Sequence, residues 1–320
     1  MSATSRPPGS PPPSHPQQRR IPLPWQRPKP ASEDAEAPAK LERILQSPSY
    51  RRADEDVDFL DSDETRGVRL QIDYLKPQVF LDRHGIEHTI VVFGGTRIVE
   101  PAAARRQVAQ LRQALQERPD DQEELEARLA RALQIVAKSR YYEVAREFGR
   151  LVAASGKGPG DCRIVVMTGG GPGVMEAANR GAHDAGAKSI GLNIDLPHEQ
   201  YPNPYVTPEL CFRFHYFAMR KLHFLLRAKA LVAFPGGLGT LDELFETLTL
   251  IQTRKIEPIP VVLVGESYWR RVVDLDFLLD EGVIDAEDVD LFWYAEEADE
   301  IWAGIESWYA SNSQPLFGRC

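Results

Sequence analysis

From residue 89 onward, short apolar runs alternate with stretches that have the apolar spacing of helices. Each run is five or six residues long and rich in β-branched residues, a pattern typical of strands buried on both faces of a parallel sheet. The alternation predicts an α/β fold in which helices cover both faces of a doubly wound sheet. The predicted strands are residues 89–93, 163–167, 189–194, 230–234 and 260–264.

A long helical insert, residues 101–154, separates the first two predicted strands. Pro119-Asp120-Asp121 predicts a break into two helices, with an aspartate as the N-cap of the second. The second helix carries one apolar stripe, which we expect to pack against the sheet or a neighbouring subunit. The stripe consists of Leu125, Leu129, Leu133 and Val136.

Composition changes at the N-terminus, where the first 40 residues hold 11 of the 25 prolines. They contain few large apolar side chains, which predicts a disordered, partly polyproline-like tail over residues 1–45. A single domain is predicted over residues 46–320. Residues 41–88, which span this boundary, are mixed and charged, and short helices such as 53–60 are expected to pack on the outside.

Charge and cysteine content narrow the classes of function. A net charge of -9 disfavours nucleic acid as a partner, because binding to the phosphate backbone relies on clustered lysine and arginine. No run is apolar enough to span a membrane, and the N-terminus lacks the apolar core of a signal peptide. Cys162, Cys211 and Cys320 lie far apart, so we expect a cytoplasmic protein with neither a zinc site nor a disulfide framework.

Three glycine-rich turns follow predicted strands: Gly94-Gly95-Thr96, residues 168–173 and residues 235–240. Glycine lets the backbone approach a ligand closely, and the start of the next helix offers unpaired N–H groups to an anion. In an open α/β sheet these turns meet at the carboxyl ends of the strands, which predicts a phosphate-bearing small-molecule ligand. Neither G-x-G-x-x-G nor a Walker A sequence is present, so a dinucleotide oxidoreductase and a P-loop ATPase are disfavoured.

The segments 169–176, 219–221 and 235–243 resemble the signature of the LOG (Lonely Guy) family of cytokinin-activating phosphoribohydrolases, long mislabelled lysine decarboxylases. The resemblance covers residues 88–310. The tail and the long insert depart from the shortest family members and resemble the larger bacterial type. It implies a Rossmann-like nucleotide-binding catalytic domain that needs no cofactor or metal. It also implies hydrolysis of the N-glycosidic bond of a nucleoside 5′-monophosphate. AMP would yield adenine and ribose 5-phosphate, and a prenylated AMP would yield free cytokinin.

The same resemblance implies that Arg220 and Glu243 are the catalytic pair. Substrate-binding residues are expected in the glycine turns, beside the pair, and at Glu209 and Thr249. We also expect Glu176 and Asn179 to face the crevice. The full substrate-binding set is Gly170, Gly171, Gly173, Glu176, Glu209, Met219, Lys221, Gly236, Gly237, Leu238, Gly239, Thr240, Leu241, Asp242 and Thr249.

The expected chemistry is coherent without the resemblance. Cleavage of a ribosyl C–N bond builds positive charge on the ribose, and a carboxylate stabilises that charge and activates water. We expect Glu243 to have this role from the first turn of its helix, where the dipole favours its ionised form. Arg220 would position Glu243 and the sugar phosphate through its planar fork.

Other functions stay open. Non-catalytic carriers and sensors of the same superfamily have similar glycine turns and bind nucleotides or cofactors without hydrolysing them. A lysine decarboxylase would need a Schiff-base lysine, for which Lys221 is the best-placed candidate, and a partner for the pyridine nitrogen that is not evident. The aromatic segment 212–217 and the long insert predict a homo-oligomer, at least a dimer.

Overall fold

The computed structural model describes residues 23–117, 121–197 and 201–317. Residues 1–22 of the predicted tail, Pro119 and Asp120 of the predicted helix break, and Cys320 lie outside these ranges. The chain divides into two compact units, Met1–Gly67 and Val68–Cys320. The predicted boundary between residues 45 and 46 stays a prediction.

The first unit contains helices α1 (Ala37–Leu45) and α2 (Val57–Leu60). Residues 37–45, assigned to the tail from the sequence, are thus helical. The carboxylate of Asp56 caps α2 by accepting a bond from the backbone N–H of Phe59 at 3.3 Å. Of the short helix expected over residues 53–60, the second half, residues 57–60, is helical.

Seven strands of the described residues form one sheet, in the order β4-β3-β2-β1-β5-β6-β7 with every neighbouring pair parallel. This confirms the predicted doubly wound, Rossmann-like fold. The five predicted strands are present, and two short edge strands, β4 and β7, were missed. The strands are β1 (His88–Phe93), β2 (Ile164–Thr168), β3 (Ser189–Ile194), β4 (Cys211–Phe214), β5 (Ala228–Ala233), β6 (Val261–Val264) and β7 (Trp293–Ala295).

Helices cover both faces because successive strand residues point to opposite sides. Ile90 and Val92 of β1 pack with one helical layer, whereas Val91 and Phe93 pack with the other. The first layer comprises α6 (Arg140–Ala154), α7 (Val174–Asp184) and α12 (Ala298–Ser311). The second comprises α3 (Arg66–Arg83), α8 (Phe217–Leu226), α9 (Leu238–Gln252) and α10 (Glu266–Val272). Helix α11 (Leu275–Asp280) follows α10 along the chain.

The insert forms three helices rather than the two expected: α4 (Pro101–Glu117), α5 (Gln122–Lys138) and the sheet-packed α6. The apolar stripe of α5 packs mainly against α4, not against the sheet. Leu125 is buried there, whereas Leu133 remains 42% exposed. Asp121 occupies the N-cap position of α5, but its side chain makes no capping hydrogen bond.

Helix α3 is longer than the short surface helices expected in this region, and it supports α8. The carboxylate of Asp73 accepts bonds from the backbone N–H groups of His215 and Tyr216, at 3.0 and 2.9 Å. These are the residues immediately before α8, so Asp73 satisfies donors that would otherwise be unpaired at that helix start. No helix within the described ranges is long and apolar enough to cross a membrane.

Candidate active site

A cavity of about 330 Å³ lies where the order of strands reverses, between β1 and β5. Ligands of open α/β sheets bind at such a point, outside the carboxyl ends of the strands. The turn after β1 and the turn after β5 form opposite walls and are joined by a bond from Gly95 N–H to the carbonyl of Pro235 at 2.9 Å. The lining residues are Phe93, Gly94, Gly95, Thr96, Met175, Phe217, Arg220, Gly237, Leu238, Gly239, Thr240, Asp242 and Glu243.

Arg220 projects from α8 into this cavity. Its Nε donates to the carbonyl of Leu192 at 2.8 Å, and its guanidinium lies 5.1 Å from the centre of the Phe224 ring. A Cβ on Gly169 would lie 2.7 Å from the guanidinium, so any larger residue there would require the arginine side chain to shift. Burial lowers the pKa of Arg220, an effect that the charge of Glu243 opposes.

Glu243 is 6% exposed and lines the same cavity. Burial raises the pKa of its carboxyl from the ordinary 4.5 to about 7, although the charges of Lys221 and Arg220 act in the opposite direction. Because α9 begins at Leu238, Glu243 lies in its second turn, not in the first turn as expected. The helix dipole fades beyond the first turn, so burial decides the state of this carboxyl.

Lys221, next to Arg220 on α8, points towards α9. Its Nζ lies 2.8 Å from Glu246, 3.0 Å from Asp242 and 3.6 Å from Glu243. Among the ion pairs of the described ranges, those within 4.0 Å join Glu243 to Lys221 and not to Arg220. Within 4.0 Å, the cation beside Glu243 in the described residues is therefore the lysine, whereas the sequence led us to expect the arginine there.

Tyr268 of α10 stabilises the turn after β5, because its hydroxyl donates to the carbonyl of Gly236. A Cβ on Gly236 would collide with the side chain of Thr240, so the turn closes tightly only with glycine. This packing fixes the first residues of α9, so that the N-terminal end of the helix lines the cavity.

Several known proteins are similar in sequence to this chain. A family model described as possible lysine decarboxylase matches residues 175–305, which include Arg220 and Glu243. A probable cytokinin riboside 5′-monophosphate phosphoribohydrolase of rice (Oryza sativa subsp. japonica), LOG4, is 30% identical over 141 residues, 43% of this chain and 60% of that relative. LOG3 of Arabidopsis thaliana, which is named for the same activity, is 27% identical over 189 residues. The match covers 57% of this chain and 82% of the length of LOG3.

This chain is similar to the phosphoribohydrolases of the LOG family. The match to the rice relative spans only 60% of that relative's length. A crystal structure of TM1055, a structural genomics target, is 22% identical over 69% of this chain and 99% of its own, with a TM-score of 0.43.

The turn after β2, in the segment that resembles the LOG signature, is built on a buried polar network. The amide oxygen of Asn179 accepts bonds from the Thr168 hydroxyl at 2.7 Å and from Asn203 at 3.0 Å, and Asn203 also donates to the carbonyl of Gly171 at 3.0 Å. Gly170 has φ +71°, and a Cβ there would collide with the amide oxygen of Asn193. The glycines of this turn thus serve close backbone packing, a role that a LOG signature alone does not reveal.

Glu176 and Asn179, expected to face the crevice, are not among the residues lining it. The carboxylate of Glu176 accepts a bond from the Tyr142 hydroxyl of α6 at 2.7 Å. Asn179 is fully buried beneath the turn. Both side chains hold the α7 layer in place, because α7 presents them to α6 and β3 rather than to the cavity.

Glu209 and Thr249 lie away from the cavity. Glu209 is exposed just before β4, at the amino edge of the parallel sheet, opposite the glycine turns. Thr249 is exposed near the end of α9. Met219 packs against the core beneath α8, and Gly170, Gly171, Gly173, Gly236 and Leu241 support the cavity without lining it.

Of the predicted residues, the cavity collects Arg220, Glu243, Asp242 and the segment 237–240. It adds Phe217 and Met175, which sequence reasoning missed. Phe217 lies three residues before Arg220 on α8, so the helical period carried a signal for it. Within the described residues, no group of three or more His, Cys, Asp or Glu is arranged to hold a metal ion.

Proposed function

We propose that this chain belongs to the LOG family and hydrolyses the N-glycosidic bond of a nucleoside 5′-monophosphate. The substrates we assign are AMP, which gives adenine and ribose 5-phosphate, and a cytokinin riboside 5′-monophosphate, which gives the free cytokinin. The relatives' names support a phosphoribohydrolase acting on cytokinin riboside monophosphates. The cavity of about 330 Å³ is within the size range of small-molecule sites.

The observation that carries the proposal is the juxtaposition of Arg220 and Glu243 in one cavity. Arg220 forms no ion pair within 4.0 Å among the described residues, yet its guanidinium is partly buried. A buried charge without a counter-ion is costly, and an anionic ligand removes that cost. The phosphate of the substrate is that anion, shared between Arg220 and the glycine turns.

Glu243 then acts on the ribose. When the C1′–N bond breaks, its electron pair leaves with the base and positive charge develops at C1′. The carboxylate of Glu243 stabilises this charge and accepts a proton from the attacking water, whose hydroxide adds to C1′; the released base takes up a proton in turn. A pKa of about 7 places the carboxyl near the pH at which a general base is most effective.

The lysine decarboxylase description fits Lys221 poorly. A Schiff base forms from a neutral amine, so such lysines need a lowered pKa. Burial acts in that direction on Lys221, but hydrogen bonds with Glu246 and Asp242 outweigh it and raise the pKa of the amine. We assign Lys221 the role of positioning Glu243.

The test is to incubate the purified protein with AMP, and separately with a prenylated AMP, and to quantify free base and ribose 5-phosphate. We expect release by the natural chain and loss of at least about 100-fold in Glu243→Gln, the range typical of removing a general base. Glu306→Gln is the matched control, because Glu306 is exposed on α12 in the other helical layer. Undiminished turnover in Glu243→Gln would contradict the assignment, and AMP binding without any release would favour a carrier or sensor.

A further inference from the structure

A second cavity, of about 560 Å³, lies beside the first at the carboxyl end of β6. Lys138 and Arg140 approach it from the junction of α5 and α6, and Arg271 approaches it from α10. The described residues that line the two cavities have no member in common, and those of the second include three cations and no carboxylate. This is unexpected in a chain of net charge -9.

The three cations differ in their existing partners. Arg140 lies 2.8 Å from Glu297 and 3.4 Å from Glu296, so its charge is largely compensated. Lys138 and Arg271 appear in none of the ion pairs within 4.0 Å among the described residues. Among the described residues, the charges of Lys138 and Arg271 therefore face the cavity without a carboxylate partner, next to the hydroxyls of Ser267 and Tyr268. The third hydroxyl of the lining, that of Tyr141, donates to Glu296 at 3.5 Å.

We propose that this cavity binds a phosphorylated small molecule distinct from the substrate. Lysine and arginine supply charge-assisted bonds to phosphate oxygens, and the hydroxyls supply further donors. The site is separate from the substrate cavity because the turn after β5 stands between them, with Gly237–Thr240 lining the first cavity and Tyr268 lining the second.

Tyr268 couples the two cavities. Its hydroxyl donates to the carbonyl of Gly236, at the base of the turn that carries Gly237. A hydroxyl has one proton to donate, so a phosphate oxygen in the second cavity competes with Gly236 for it. Occupation of the second cavity thus releases the turn and weakens substrate binding. This coupling rests on the proposed function, whereas the binding site itself does not.

Inorganic pyrophosphate is the probe for the site, measured by isothermal titration calorimetry on the full chain. We expect the double variant Lys138→Gln/Arg271→Gln to bind it at least about 10-fold more weakly, since it loses two charge-assisted bonds to the phosphate oxygens. The control is Arg105→Gln/Arg106→Gln, which removes the same charge from exposed positions on α4. Absence of binding by the natural chain, or equal binding by the two double variants, would overturn the site.

The coupling is tested by the KM for AMP with and without pyrophosphate. We expect pyrophosphate to raise the KM of the natural chain and to leave that of Tyr268→Phe unchanged, while calorimetry shows that Tyr268→Phe still binds the probe. Phenylalanine preserves the ring contact with Trp269, whose centroid lies 5.3 Å away. An equal rise in KM in both proteins would overturn the coupling. If AMP is not hydrolysed, calorimetry still decides the site, and the Kd for AMP replaces the KM.

Discussion

The raised pKa of Glu243 predicts that the natural chain loses stability as the pH rises through neutrality. The carboxyl titrates at about 7 in the folded chain and at about 4.5 when unfolded. Between these values the folded state binds more protons, so the free energy of unfolding falls with increasing pH. The favourable contribution is complete below the unfolded value and is lost as the pH passes the folded one.

The magnitude follows from the shift. At 1.36 kcal/mol per pKa unit, ionised Glu243 costs about 3 kcal/mol at high pH. Glu243→Gln removes the titration while keeping the size of the side chain. The stability of the variant relative to the natural chain should therefore increase by roughly 2–3 kcal/mol between about pH 5 and about pH 8.

Urea denaturation of both proteins at the two pH values measures this difference, and titrating groups that do not interact with Glu243 cancel between them. Glu306→Gln, exposed on α12, is the matched control for the exchange of a glutamate for a glutamine. A constant difference between Glu243→Gln and the natural chain would refute the reasoning, as would a variant that loses relative stability at high pH. Either result would mean that Lys221 and Arg220 hold the carboxylate ionised against its burial.

Three further predictions concern Lys221 and the turn after β2. Lys221→Met should move the acidic limb of the AMP pH–rate profile to higher pH, because the lysine charge lowers the pKa of Glu243. Lys221→Arg should restore the original position of the limb. A limb that does not move in Lys221→Met would exclude the positioning role. Gly170→Ala should cost roughly 1–3 kcal/mol more in urea unfolding than Gly186→Ala. Both glycines have positive φ, but Gly186 has open space around it, so equal losses would argue against the close packing of the turn. Asn179→Ala should lower the free energy of unfolding by roughly 2–3 kcal/mol, because it leaves buried donors unpaired; a change near zero would show that water replaces the amide.

Much of the fold was readable because the central strands are apolar on both faces. Such a run predicts a buried strand, as at β3 and β6. In contrast, β4 has an exposed arginine at position 213 and β7 is three residues long. Edge strands are packed on fewer sides, so their composition carries a weaker signal. The boundary of the first domain and the homo-oligomer stay predictions.

The site was readable where a motif and a strand end coincide, as at Gly237 and Glu243. It was not readable where long-range contacts decide the outcome. Asp73 supports α8 across more than a hundred residues of sequence, with no local signal of its role. The ionisation of Glu243 depends on burial, which competes with nearby charge and outweighs the helix dipole, so helical position alone gave the wrong direction.

The hydrogen bond from Gly95 to Pro235 also has a consequence for how the chain folds. It joins segments 140 residues apart, and the β1–β5 ladder behind it spans a similar distance along the chain. Contacts of such large sequence separation form slowly, because closing a long stretch of chain costs entropy before any contact repays it. During refolding, competence to bind a nucleotide should therefore return after the β1–β2 pairing and the helical signal. A ligand present at that stage would act only on the last, slowest step of assembly.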